Sequence, residues 1–242
     1  AMSLVDRADA QVRLRRKPAA EKRVALIYYD RSMGKAELMR GTATGMFMNA
    51  PRSVMRVLQR LAKEGYRLVG APADERALLD AMRDHGRQVG VWAPDVLRTL
   101  AESGKAVLIP EADYRRWYVA KLSPKMRAIV EKQWGPPPGK FLVYEKDGCK
   151  FLVVPRLDFG NVIMLPQPLR GEAQTVSALG AQTHDKLTPP PHNYLATYFW
   201  LQEGFKADAM VHFGTHGSEF LLPGKPERPT RDDWGDRVIG SV

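Results

Sequence analysis

The chain has 242 residues, 44% hydrophobic and 26% charged, the proportions of a soluble globular protein long enough to bury its own core. Collagen-like, coiled-coil and wholly disordered classes are excluded, no apolar run reaches the roughly 18 residues of a membrane span, and the first residues lack the apolar core of a secretory signal. Lysine and arginine number 37 against 27 acidic residues, a net charge of +10 that calls for acidic partners.

Residues 1–21 form a basic arm, expected to be a solvated linker. The leading Ala1-Met2 pair looks like a non-native start. Val24-Ala-Leu-Ile-Tyr-Tyr29 is an uninterrupted apolar run bounded by charge, the pattern of a buried parallel strand. A loop with Gly34, Gly41 and Gly45 follows. Pro51 then opens a helix with Val54, Val57, Leu58 and Leu61 on its apolar face and Arg52, Arg56, Arg60 and Lys63 mostly opposite. Tyr66-Arg-Leu-Val69 is expected as a second strand, completing a βαβ unit.

Helices are predicted at 74–85, 95–103, 111–121 and 124–133, the last capped by Ser123 with Pro124 in its first turn. Lys105–Pro110 is a short apolar strand or loop. Trp134-Gly-Pro-Pro-Pro-Gly139 is strong turn punctuation and the expected internal boundary. Beyond it, Phe141–Tyr144 and Phe151–Val154 flank Asp147-Gly148, a hairpin signal, and Asn161–Leu165 is a further strand. Three prolines introduce a helix over Pro189–Glu203, whose Tyr194, Tyr198 and Leu201 stripe is expected to pack in the core. Ala209–Phe213 is a strand running into Gly-Thr-His-Gly, and the tail from Pro223 looks unfinished, with little apolar periodicity. The fold class is therefore α/β: a parallel sheet with flanking helices over residues 22–133, with β-hairpins, a long helix and the site strand over 134–242, where extension of the same sheet is one possibility.

Cys149 is the single cysteine, so there is no internal disulfide and no cysteine zinc site, and a reducing, cytoplasmic setting is expected. No zinc-finger spacing, RNP signature or helix-turn-helix is present, so nucleic acid is not an expected partner. The Gly34–Gly45 loop suits an anion, with Lys35 and Arg40 adding charge, but no G-x-x-x-x-G-K-[ST] run supplies an ATP site of that type.

Four of the five histidines, His184, His192, His212 and His216, crowd into the last quarter, while His85 is expected at the surface. Imidazole binds cobalt, nickel, iron and zinc and is a base near neutral pH. His212-Phe-Gly-Thr-His-Gly217 is the sharpest element. Gly214 and Gly217 allow a tight turn beside Thr215, and His216 leaves the carboxyl end of a strand, where open α/β sheets put their sites. His192 at a helix start is expected to stay neutral, His184-Asp185 to supply a ligand or an oriented base, and Glu219 to be the nearest carboxylate base.

Lys22-Arg-Val-Ala-Leu-Ile-Tyr28, Phe159-Gly-Asn-Val162, Pro189-Pro-Pro-His-Asn-Tyr-Leu-Ala196 and Val211-His-Phe-Gly-Thr-His-Gly217 with Leu222-Pro-Gly-Lys225, in this order, resemble the large subunit of class I metal chelatases, the cobaltochelatase CobN and magnesium chelatase H type. Tyr114, Trp117 and Trp134-Gly135 fit the same order, and the resemblance runs from about Leu14 to Val242. It implies an internal fragment of an enzyme subunit that inserts a divalent metal into a tetrapyrrole, with two AAA+ partner subunits hydrolysing the ATP. The excised piece is expected to be inactive alone. In that setting His212 and His216 take the metal or the pyrrole protons with Glu219 beside them. His184, His192, Gly34, Lys35, Gly214, Thr215 and Gly217 line the substrate. Cobalt insertion into a corrin precursor, as in cobalamin biosynthesis, is the preferred branch. Magnesium insertion into protoporphyrin IX and a non-catalytic tetrapyrrole-binding module are the alternatives, and an unrelated histidine metallohydrolase is a remote one. The chain departs from the family pattern at Ser218-Glu219-Phe220, where the carboxylate comes one position early, and at Asp30-Arg-Ser-Met-Gly-Lys35, which replaces the usual Pro-Pro-Gly-Lys run.

Overall fold

A computed structural model describes residues 4–28, 50–90, 93–171, 187–213, 222–223, 233–240 and 242. The central element is β1 (Val24–Tyr28), five apolar residues that are all buried. A strand so apolar must be covered on both faces and both edges, and it is. It pairs in parallel with β6 (Val162–Pro166) on one side and with β7 (Ala209–Phe213) on the other. Antiparallel β5 (Leu157–Phe159) completes a four-stranded sheet of order β5-β6-β1-β7.

Strand alternation divides the core. Val24, Leu26, Tyr28, Val162 and Met164 face α2 (Ala50–Lys63) and α3 (Glu75–His85), where they meet Val54, Leu58, Leu78 and Met82. Ala25, Ile27, Ile163 and Leu165 face the other way. They meet α5 (Glu111–Lys121), α6 (Pro124–Trp134) and α7 (His192–Glu203). α7 is buried along all of His192–Leu201, so its tyrosines do pack in the core as the sequence indicates. A second, antiparallel sheet of order β2-β4-β3 is built from β2 (Val107–Pro110), β3 (Val143–Lys146) and β4 (Cys149–Val154). α4 (Pro94–Glu102) covers its far side through Leu100 and Ala101 beside Val153. The α/β class, the parallel sheet with flanking helices and the hairpin of the second half are all present.

Local signals act where the sequence puts them. Ser123 caps α6 as expected, while Asp74, read as the first helical residue, is the cap of α3 and accepts from the Ala77 N–H at 2.8 Å. Asp147 and Gly148 both take positive φ, 52° and 73°, as a tight hairpin turn between β3 and β4 demands. Asp74→Ala removes the α3 cap and is expected to lower stability by about 1 kcal/mol, read as a lower urea midpoint at unchanged slope.

Other expectations are corrected. Tyr66–Val69 does not become the second strand of a βαβ unit. Gly65 and Gly70, at φ 82° and 67°, bend the chain at both ends. The short run between them hydrogen-bonds the β5–β6 turn through Val69 N to Phe159 O and Asn161 N to Arg67 O, leaving a single antiparallel bridge. Among the described residues, the stretch 22–133 supplies only β1 to the parallel sheet, and β6 and β7 from beyond Trp134–Gly139 extend it. The basic arm is a helix, α1 (Leu4–Arg16), anchored by Arg7 to the buried carboxylate of Asp236 and extended by Lys17 to Asp208 at 2.7 Å. Asp236 lies in α8 (Trp234–Ile239), a helix the tail's weak periodicity did not announce, held by buried Trp234 and Val238. Among the described residues, no helix is long and apolar enough to cross a membrane.

Candidate functional site at the carboxyl edge of the parallel sheet

β1, β6 and β7 are parallel neighbours, so Tyr28, Pro166 and Phe213 end side by side at one edge of the sheet. In open α/β sheets this carboxyl edge is where ligands bind. His212 is the penultimate residue of β7 and is in register with Ile27 of β1. That register puts it on the α7 face of the sheet, where it is half-buried.

A polar cluster fills this corner of an otherwise apolar core. His212 Nε2 lies 2.8 Å from the Tyr198 hydroxyl, the two rings 6.0 Å apart between centroids. Gln167, the residue after β6, directs its amide nitrogen to the hydroxyls of Tyr198 at 2.9 Å and Tyr194 at 3.1 Å. Its backbone N–H donates to the Tyr28 carbonyl at 2.8 Å, which fixes it at the strand edge. Four side chains from β6's exit, α7 and β7 thus form one network beside the ends of three strands. Sequence reasoning singled out His212 but not Gln167, and it treated Tyr194 and Tyr198 only as packing. The available signal was chemical: a buried tyrosine hydroxyl and a glutamine between two prolines each require a partner.

His192, expected to contact substrate, lies inside the protein, 2% exposed, with both ring nitrogens bonded to protein groups. Nε2 lies 2.9 Å from the Gly135 carbonyl, which only accepts, so Nε2 carries the proton. Nδ1 then accepts from the Tyr114 hydroxyl at 2.7 Å, and Tyr114 stays protonated because burial raises its pKa well above the ordinary value. The His192 pKa is lowered chiefly by burial, against the pull of the Gly135 bond and of Glu131. The ring therefore ties α5 and α7 to the Trp134–Gly139 turn. Gly139 sits at φ 76°, and a side chain there would come within 2.8 Å of the imidazole. Its neutral state was expected from the helix start; burial is the larger cause.

His184, His216, Glu219, Gly34, Lys35, Gly214, Thr215 and Gly217 lie outside the described residues. His216 and Glu219 follow β7, Gly34 and Lys35 follow β1, and His184 follows β6 in the sequence. Among the described residues, no three histidine, cysteine or acidic groups stand close enough to hold a metal ion.

The CobN/magnesium chelatase family model matches residues 1–242. The chain belongs to this family. The aerobic cobaltochelatase subunit CobN of Pseudomonas aeruginosa is 31% identical over 229 residues, covering 95% of the chain and 17% of that protein. The magnesium-chelatase H subunit of Rhodobacter capsulatus is 29% identical over 246 residues, covering 99% of the chain and 18% of that protein. The solved catalytic subunit of cobaltochelatase from Mycobacterium tuberculosis has 29% identity and a TM-score of 0.75, over 99% of the chain and 19% of its own. The chain thus spans less than a fifth of the length of these chelatase relatives.

Proposed function

We propose that this chelatase-family chain is part of the catalytic subunit that holds a tetrapyrrole while a divalent metal enters it. The observation that carries the reading is the whole-chain family match, joined to a histidine at the carboxyl edge of the parallel sheet. Insertion removes two pyrrole protons and strips water from the metal. A neutral imidazole performs either task. His212 is the first candidate, with His216 and Glu219 following it in the sequence and His184 as a further donor. Gly34 and Lys35, with Gly214, Thr215 and Gly217, are assigned to the acidic arms of the ring, which a net charge of +10 favours. ATP is assigned to AAA+ partner subunits, in keeping with a sequence that lacks a Walker-type phosphate loop.

Cobalt entering a corrin precursor is the first reading, because imidazole donors suit cobalt better than magnesium. Magnesium entering protoporphyrin IX is the second, favoured by the equally similar magnesium-chelatase relatives. A cytoplasmic setting fits both. The test is an absorbance and fluorescence titration of the 242-residue chain with a cobyrinate-type corrin and with protoporphyrin IX, each with and without Co²⁺ or Mg²⁺. Saturable corrin binding that cobalt alters, and that the double change His212→Ala and His216→Ala abolishes, is the expected result. Porphyrin-only binding selects the magnesium branch. Binding of neither ring by the chain or by its full-length parent overturns the reading.

A further inference from the structure

We infer that the amino edge of the parallel sheet carries a docking surface for an acidic protein, formed by the end of α1, the turn that follows it and the exposed side of α2. The candidate site lies at the opposite, carboxyl edge, so a protein seated here leaves that edge open. The inference rests on the function proposed above for the identity of that protein, an ATP-hydrolysing partner subunit.

The positive charge of the chain is concentrated. Residues 1–23 hold seven basic and three acidic groups, and residues 50–67 hold five basic groups against Glu64. Each segment has a surplus of four, so together they carry eight of the ten net charges. The fold sets the two segments side by side. Gly65, just past α2, faces the Ala19–Glu21 turn, and a side chain there would lie 4.0 Å from the Ala19 Cβ. Lys22 holds its ammonium 5.8 Å from the centre of the Tyr66 ring. Both segments border the strand starts. The Arg23 carbonyl accepts from Asp208 N at 2.8 Å, just ahead of β7, and the Arg67 carbonyl accepts from Asn161 N at 3.2 Å, just ahead of β6.

Internal pairing leaves much of this charge uncompensated. Arg7, Arg13, Lys17, Arg52 and Arg60 stand beside Asp236, Asp9, Asp208, Glu75 and Glu64. Arg15, Arg16, Arg56, Lys63 and Arg67 are exposed and make no ion pair among the described residues. Along α2, Arg52, Arg56, Arg60 and Lys63 recur at helical spacing, so like charges share one face and repel. Arg52 also sits in the first turn, at the positive end of the helix dipole. An acidic surface laid against this face relieves both costs. Guanidinium groups match carboxylates in a two-pronged geometry and are enriched at protein interfaces. Val12 and Val69, 44% and 56% exposed, flank these cations in the sequence and suit the mixed contacts of such an interface. Other polyanions fit less well. Tyr66 is half-buried under Lys22, so these segments offer no exposed ring to stack a base. α2 turns Val54, Met55 and Leu58 into the core and keeps no apolar stripe for a bilayer.

The test is surface plasmon resonance between the full-length subunit and the proposed ATP-hydrolysing partner subunits. Two variants reverse charge at independent places: Arg15→Glu with Arg16→Glu on α1, and Lys63→Glu with Arg67→Glu at the end of α2. Lys125→Glu with Lys132→Glu, both exposed on α6, is the control with the same change of charge. Each patch variant is expected to weaken association by about tenfold or more, chiefly through a slower on-rate, because the patch steers the encounter. The control is expected to keep wild-type association. Wild-type association should fall steeply between about 0.1 and 1 M salt, as screening shortens the reach of the patch. Tetrapyrrole binding should keep its wild-type strength in both patch variants. Wild-type association in both patch variants, or an equal loss in the control, overturns the inference. So does intact partner association with loss of binding to duplex DNA or to phosphatidylserine vesicles, which reassigns the patch to nucleic acid or lipid. A wild-type subunit that binds no partner overturns the inference together with the partner assignment, whereas failure of the tetrapyrrole reading appears in the ring titration and leaves these association rates untouched.

Discussion

On the function proposed above, His212→Ala in the full-length subunit, reconstituted with the proposed ATP-hydrolysing partners, is expected to lower metal insertion by about two to four orders of magnitude, the range a positioned proton-transfer group supplies. The expectation follows from place and chemistry. His212 is a half-buried imidazole at the carboxyl end of an edge strand, set in a polar network within an apolar core. Alanine removes the ring but leaves the strand's backbone pairing with β1. Tetrapyrrole affinity measured separately should fall far less than turnover, because the lost group acts during the transfer of proton and metal. A circular-dichroism spectrum like that of the wild type shows that the fold is retained. Insertion at an undiminished rate would remove His212 from the reaction and leave the role to the histidines on either side of it in the sequence.

His192→Ala is expected to produce the opposite profile: a large loss of stability in the isolated chain, about 3–5 kcal/mol by urea denaturation, with no specific effect on chemistry. Two buried hydrogen bonds disappear, leaving the Tyr114 hydroxyl and the Gly135 carbonyl without this partner, and the ring's volume becomes a cavity. The pH dependence carries a further signature. The imidazole titrates near 6.5 when unfolded, and burial lowers that value in the folded chain. Below about pH 6.5 the unfolded state therefore binds more protons than the folded one, so stability falls as pH falls, until the folded ring is itself protonated. The wild-type urea midpoint should drop between about pH 7.5 and 5.5, and the His192→Ala chain should show a shallower drop over that interval. Equal slopes in the two chains would mean that the neutral His192 ring is not what couples this fold to pH.

The contrast between these two histidines marks what was legible in the sequence. Signals carried by a few adjacent residues were readable: the apolar run of β1, the cap at Ser123, the Asp147-Gly148 turn and the strand from Ala209 to Phe213. Pairings between distant segments were not. Tyr66–Val69 has strand composition, yet the β1 edges are taken by β6 and β7, which are longer strands with longer apolar runs. His192 has a sequence neighbourhood as suggestive as that of His212. Its use is decided by Tyr114 and Gly135, far away in the chain, and proximity of that kind leaves no local trace. Gln167 was passed over for the same reason, since its meaning depends on two tyrosines one and two helical turns into α7.

The position of β1 also shapes how the chain is made. Within these residues it follows α1 and a single 3-10 turn, yet both its neighbours come from the last third of them. At about 5–20 residues per second, synthesis keeps Val24–Tyr28 waiting for its neighbours for roughly ten seconds or more. Five apolar residues with two open edges are an aggregation hazard for that interval. Completion of the sheet must await β7, so the site edge and the central strand are finished together, once Phe213 has emerged. Premature termination anywhere before Phe213 leaves β1 with an open edge and no His212 strand, so a truncated product is poorly folded as well as incomplete.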